Sequence, residues 1–267
     1  MNWEELSGDD FPPAVRDAQG VCLVPLSVIE RHGHHLPVGT DMFIGRELCR
    51  RAALLEPAIV FPDLYFTQIL EARHVPGTIA LDADLIVRLL DNICREIARN
   101  GLKKIVLVSA HGGNYHFTRF FAQAQLASPR DYVVYVADPH LSREEEAGLA
   151  ALWETTVDGH GGEQETSEIL AIRPDLVQLD RAPADGEGLP LDRLKALHDD
   201  GVYTGIWWYA DHPTHYRGDG RPATAEKGNQ LLDAHARTLA RTVAAIKRDE
   251  VTPQLQREFF AAGERPR

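Results

Sequence analysis

Four short apolar runs, each followed by a stretch with helical spacing, restrict this chain more than any other feature. They are Val21–Leu26 (VCLVPL), 58–61 (AIVF), Lys104–Ser109 (KIVLVS) and 132–136 (YVVYV). Their length and β-branched content suit buried strands. Between them the apolar positions recur at helical spacing. Met42, Ile44, Leu48, Cys49 and Ala52 predict a helix over 41–55, and Leu85, Ile86, Leu89, Leu90, Ile93 and Ile97 predict one over 82–100, closed by Gly101. Further helices are expected over 114–127, 141–153 and 224–247, after a short one between Pro12 and Gly20. Strand, glycine, helix is the punctuation of an α/β fold, in which sites form at the carboxyl ends of strands.

The polar clusters fall at such ends. The first is Glu30-Arg31-His32-Gly33-His34-His35-Leu36-Pro37-Val38-Gly39-Thr40-Asp41. In an extended segment Glu30 and His32 share one face. A carboxylate beside an imidazole suits zinc, manganese or iron, and Asp41 supplies a third ligand or bridges two ions. The same residues also suit a polar loop in which Asp41 caps the helix and the histidines are solvated. The second cluster, Ala110-His111-Gly112-Gly113-Asn114, puts His111 at a strand end, either as a ligand or as a hydrogen-bonded turn residue. The third, Asp158-Gly159-His160-Gly161-Gly162-Glu163-Gln164-Glu165-Thr166-Ser167, precedes another helix. Capping explains Ser167, Thr166 or Glu165, but neither His160 nor the paired glycines. Together Glu30, His32, Asp41, His111 and Glu163 are enough for two divalent ions with a bridging aspartate and water, a thiol-free set suited to zinc, manganese or iron.

Composition removes several alternatives. Over 267 residues the formal charge is −12, from 40 acidic and 28 basic residues, which disfavours a nucleic-acid backbone or an anionic membrane as partner. No apolar run approaches the roughly 20 residues of a spanning helix. The acidic start, MNWEELSGDDFPP, has no signal-peptide pattern, and Cys22, Cys49 and Cys94 read as buried thiols, so a cytoplasmic location is expected. The length fits one compact domain.

Three segments are less legible. Residues 63–78 have no clean period and read as an irregular loop bordering the pocket, with His74 more readily solvated or hydrogen-bonded than a ligand. Residues 181–203 read as a long excursion. The run 203–216 (YTGIWWYADHPTHY) concentrates aromatics and histidines for a substrate wall or an oligomer contact, with Trp207 and Trp208 facing opposite ways if extended. The tail beyond the last helix is expected to fray.

The sequence resembles the creatininase family of creatinine amidohydrolases in ERHGHHLPVGTD (30–41), HVPGTIAL (74–81), AHGGN (110–114), HGGEQETS (160–167) and ATAEKG (223–228), in the family's order over nearly the whole chain. The resemblance implies a single domain over 1–267, a three-layer α/β/α unit with a mostly parallel sheet and helices on both faces. It also implies a binuclear metal centre that hydrolyses a non-peptide C–N bond in a small-molecule cyclic amide or formamide, and assembly into homo-oligomers, commonly hexamers. By motif, Glu30 and His111 are similar to ligands of one ion, His32 to a ligand of the other and Asp41 to the bridge. Glu163 is similar to the acid completing the second ion in the branch with HGGN. His160 matches the proton-transfer histidine, and Glu165 an acid supporting it or the metals. In the creatinine-hydrolysing branch the second ion's acid lies where this chain has Gly113, and Arg31 and His34 stand where the family usually has Gln and Pro; these departures turn the expectation away from creatinine.

On this reading metal-activated water attacks the amide carbon and His160 protonates the departing amine. The alternatives are a two-metal phosphoesterase, which the lack of a P-loop or Arg cluster disfavours, and a non-catalytic metal-binding protein, which has no use for His160.

Overall fold

The computed structural model describes residues 1–138, 141–184 and 186–264. Its strands are β1 (Val21–Leu26), β2 (Ile59–Val60), β3 (Lys104–Ser109) and β4 (Val133–Ala137). They form one parallel sheet in the order β2-β1-β3-β4. The helices are α1 (Phe11–Asp17), α2 (Thr40–Leu55), α3 (Ala83–Arg99), α4 (Asn114–Ala124), α5 (Arg143–Ala150), α6 (Glu163–Ile172), α7 (Lys195–Asp199), α8 (Trp207–Asp211), α9 (Ala225–Arg248) and α10 (Val251–Gly263).

Strand residues alternate between two apolar layers, as a pleated strand requires. Cys22, Val24 and Leu26 pack with Ile105 and Leu107 against Leu90, Cys94 and Ile97 of α3 and Phe121 of α4. Val21, Leu23, Val106 and Val108 meet Leu48, Cys49 and Ala52 of α2 and Leu239, Val243 and Ile246 of α9 on the other face. A sheet buried on both sides explains why its strands read as continuous apolar runs. All three cysteines are free and buried in these layers. Among the described residues, no helix is long and apolar enough to cross a membrane.

The order of the strands places the site. β1 and β3 are neighbours in register from Val21↔Lys104 to Leu26↔Ser109, so the segments leaving them emerge side by side. The chain turns to β2 on one side of β1 and to β3 on the other, which makes this strand end the topological switch point.

Two expectations are corrected. The tail does not fray over its described part: α10 forms because the Asp249 carboxylate accepts the N–H groups of Val251 and Thr252, both at 3.0 Å, and the Tyr135 hydroxyl at 2.9 Å. Gln256 then donates to the carbonyls of Arg130 and Tyr132 beside β4. Residues 265–267 of that tail lie outside the described residues. Trp207 and Trp208 are helical rather than extended, in a turn closed by His212 N–H to Trp208 C=O at 2.7 Å.

Candidate metal centre

The segment after β1 is a closed loop rather than a free one. Glu30 N–H reaches Val38 C=O at 3.0 Å, and the Thr40 hydroxyl donates to Pro37 C=O at 2.8 Å, which brings Asp41 in the first turn of α2 back toward Glu30 and His32. Asp41 is not the cap; Gly39 holds that position without a side-chain cap, so both carboxylate oxygens are free for other partners. The neighbouring strand end is tied in by polar contacts. The Thr67 hydroxyl donates to Ser27 C=O at 2.7 Å, and Asn114, fully buried, donates to Thr67 Oγ1 at 2.9 Å and Ser109 Oγ at 3.2 Å.

This frame gathers the predicted groups. Asp41 Oδ1 lies 3.0 Å from His32 Nε2, and Asp41 Oδ2 lies 3.4 Å from His111 Nδ1. Glu30 Oε1 is 2.8 Å from the same His111 nitrogen. Glu165 Oε2 stands 3.6 Å from His32 Nε2. Two sets of donors therefore lie side by side: Glu30, Asp41 and His111 on one side, His32 with Glu165 and His160 on the other, with Asp41 facing both histidines. The other edge of His32 is committed, because Nδ1 faces the Glu30 carbonyl at 3.3 Å, an acceptor that can take only a proton from it. In the neutral ring that leaves the Nε2 lone pair directed at Asp41 and Glu165.

Glu163 stands apart from both sets. It is fully buried, but its carboxylate turns away from the cluster and accepts the N–H groups of Glu154 and Thr155, the Thr155 hydroxyl at 2.8 Å and the Lys227 ammonium at 2.5 Å. The reason is helical geometry. Glu163 and Glu165 are two residues apart in α6 and so point to different sides. The helix directs Glu165 to His32 and Glu163 to α9. The close approach of this helix needs Gly161, with φ of 68°, whose absent Cβ would sit 3.1 Å from both the His32 backbone and the Tyr216 ring.

The cluster fits divalent cations. Glu30 Oε1, Asp41 Oδ2, His32 Nε2 and His111 Nε2 are buried and face one another, but among the described residues none has a well-formed hydrogen bond, an arrangement that costs stability unless an ion or proton satisfies it. Burial pulls the His32 imidazole down, yet the facing Asp41 and Glu165 carboxylates push it up to about 10. Burial likewise opposes the charge on His111, and Glu30 and Asp41 overcome it. A field of buried carboxylates that holds protons on these nitrogens also favours a metal ion in their place. Glu165 itself is raised to about 7, first by burial and then, against the pull of His32, by Asp41. Oxygen and imidazole donors without thiols suit zinc, manganese or iron.

His160 is buried between the rings of His32 and His215, with centroids at 4.2 and 4.4 Å. Its Nε2 is 2.8 Å from the Arg31 carbonyl, to which it donates. Burial first, and the neighbouring His32 second, hold it well below the ordinary histidine range.

Three other residues join the site without having been singled out as site residues. Glu71, from the loop read as irregular, puts Oε1 3.4 Å from His111 Nε2. His215 contacts Glu30 Oε2, and Trp208 Nε1 donates to His215 at 2.7 Å. The signal for the last two was the aromatic and histidine density of 203–216; Glu71 had none. His74 stays outside the ligand clusters, bonded to the Pro213 carbonyl at 3.1 Å. His34 is exposed beside the Arg31 guanidinium, away from them. The centre opens into a cleft of about 1240 Å³ walled by Leu70, Tyr115, Tyr203, Ile206, Trp207 and Tyr209.

The sequence model of creatininase, described as creatinine amidohydrolase, matches residues 4–243. The chain belongs to the creatininase family. A creatinine amidohydrolase of Pseudomonas putida is 29% identical over 194 residues, covering 66% of this chain and 74% of that protein. A mycofactocin precursor peptide peptidase of Mycobacterium ulcerans is 30% identical over 220 residues, covering 79% of each. The fold superposes on a solved structure named creatininase Mn with a TM-score of 0.75 at 24% identity, covering 93% of this chain and 99% of that one. The three-layer α/β arrangement expected of a creatininase relative is thus present, and its relatives support a hydrolase. At Gly113, where the resemblance puts an acid in the creatinine-hydrolysing branch, a Cβ would collide with the Glu71 carboxylate and the His111 ring. In this creatininase-family chain the space is filled from another loop.

Proposed function

We propose that the protein is a metal-dependent amidohydrolase, one catalytic domain that hydrolyses a non-peptide C–N bond in a cyclic amide or formamide through a binuclear centre. The observation that carries this reading is Asp41, whose two oxygens each face a different histidine, His32 at 3.0 Å and His111 at 3.4 Å. Glu30, Asp41 and His111 would hold one divalent ion, and His32, Asp41 and Glu165 the other. Ions so held supply a water acidic enough to be hydroxide near neutral pH and Lewis-acid polarisation of a carbonyl.

The chain's own residues do the rest. His160 sits against His32 at the centre's edge and lines the cleft. With Nε2–H given to the Arg31 carbonyl, the neutral ring keeps a lone pair on Nδ1 to take a proton from the nucleophile and return it to the departing amine. Such proton transfer is worth about 10² to 10⁴ in rate. The aromatic wall orients the substrate by its apolar body.

The cleft supports a second reading of the substrate. Its 1240 Å³ exceeds the roughly 300–1,000 Å³ of pockets for drug-sized ligands, far more than a single small ring fills. A peptide or a modified peptide fits that volume, and one relative is named a precursor peptide peptidase. The test is to load the protein with zinc, manganese or iron(II) and assay release of amine from formamides, lactams, creatinine and short peptides, beside His160→Ala. Metal-dependent hydrolysis of one class, lost in the variant, supports the reading. Phosphoester hydrolysis alone, or no hydrolysis by the loaded protein, contradicts it. The homo-oligomer implied by the family is tested by light scattering on the same preparation.

A further inference from the structure

Glu30 is shared between two groups of potential ligands, Glu30 with Asp41 and His111, and Glu30 with His160 and His215. Ring chemistry separates them. The Trp208 indole N–H can only donate, and it lies 2.7 Å from His215 Nδ1. His215 Nδ1 is therefore an acceptor, and a neutral imidazole must then carry its proton on Nε2. That nitrogen contacts Glu30 Oε2. A nitrogen bearing a proton has no lone pair for an ion, so the second group is not a metal site.

We propose that Trp208 and His215 form a positioning pair that fixes the aim of Glu30. The chain Trp208 N–H to His215 Nδ1, His215 Nε2–H to Glu30 Oε2 engages one carboxylate oxygen and leaves Oε1 toward His111 Nδ1, 2.8 Å away. All three residues are buried, with Trp208 9%, His215 1% and Glu30 0% exposed. His215 adopts φ of 58°, a left-handed conformation uncommon for a residue with a side chain, which turns its ring inward from the end of α8. Outer partners of this kind orient ligands, and their loss typically lowers metal affinity 10- to 100-fold. The pair also links the centre to the cleft, because Trp207 and Tyr209 on the same short helix line the cavity.

This proposal rests on the two-ion reading, and its test separates the two. Metal uptake by wild type, Trp208→Phe, His215→Ala and His215→Gln is measured by competition with a chromophoric chelator using zinc, with elemental analysis for stoichiometry and thermal melts for folding. His215→Ala and His215→Gln share the same left-handed backbone, so the difference between them reads the bond to Glu30. His215→Ala is expected to bind the first ion about 10- to 100-fold more weakly, and His215→Gln, whose amide N–H replaces Nε2–H, to recover most of that loss. In metal-free protein labelled with ¹⁵N-histidine, His215 is expected as the Nε2–H tautomer, with that preference weakened in Trp208→Phe. Folded variants that all bind zinc as wild type does, or a His215 ring protonated on Nδ1 alone, overturn the proposal while leaving the two-ion reading standing. A wild type that takes up no metal overturns the two-ion reading and the positioning role with it.

Discussion

Replacing Glu163 by alanine is expected to damage stability and spare metal binding, the reverse of what a ligand would do. The carboxylate is fully buried and accepts backbone N–H groups of Glu154 and Thr155 at 3.0 and 2.9 Å, the Thr155 hydroxyl at 2.8 Å and Lys227 at 2.5 Å. Lys227 keeps the Glu154 carboxylate at 2.9 Å and the Pro222 carbonyl at 2.8 Å, so the loss is that of the donors left without an acceptor, about 1–3 kcal/mol. For a chain of this size 1 kcal/mol moves the melting temperature by about 2–4 °C, so the loss is roughly 2–12 °C. The effect carries a pH signature. Burial by itself raises the Glu163 carboxyl, but Lys227 and the Thr155 and Glu154 donors outweigh it and hold it below the ordinary range. A depressed folded-state value means the contribution is present above the unfolded value, about 4.3, and is lost as pH falls through the folded one. The gap between wild type and Glu163→Ala should therefore close on acidification. Melts across pH 3–8, with metal analysis at pH 7, test this. A variant that melts like wild type but lacks one ion refutes the placement of Glu163.

Glu165→Gln is expected to lose the second ion with a melting temperature close to that of the metal-free wild type, read by elemental analysis and melts with and without chelator. Gly113→Ala should push Glu71 off His111 Nε2, weakening the first ion about 10-fold or more in the same chelator competition. Asp249→Ala should release α10 from β4, detected as faster amide exchange in 251–263. The Asp249 carboxyl is lowered to about 2, chiefly by the Thr252 hydroxyl and N–H. Its contribution is accordingly full above about pH 3.9 and lost as pH falls toward 2, so the same exchange should appear in wild type only in that window. A wild type whose C-terminal helix already opens at pH 6 contradicts this.

The strands and long helices were legible because each carries its own periodicity: Val21–Leu26 and Lys104–Ser109 are strands as read, and α2 and α3 begin and end within one residue of expectation. The fold class follows from their alternation. Glu30, His32, Asp41 and His111 were legible because they stand at strand ends, where a parallel sheet must place them together. The choice between Glu163 and Glu165 was not, since it depends on the rotation of α6 about its axis, which Gly161 and the contact with α9 set. Glu71 and His215 were hidden for a different reason. Each reaches the centre across 40 residues or more of chain, from segments whose course is fixed by tertiary contacts such as Gln68 N–H to Asn114 and His215 to Glu30. The tail was misread because the bonds that order α10 join Asp249 and Gln256 to the rim of β4 and are not local to the helix.

The most direct test of the binuclear assignment is anomalous diffraction from crystals of the zinc-loaded protein, collected on both sides of the zinc edge. Two peaks are expected, one between Glu30, Asp41 and His111 and the other between His32, Asp41 and Glu165, with the Asp41 carboxylate joining them. A single peak, a peak held by His215, or none at Asp41 would contradict it.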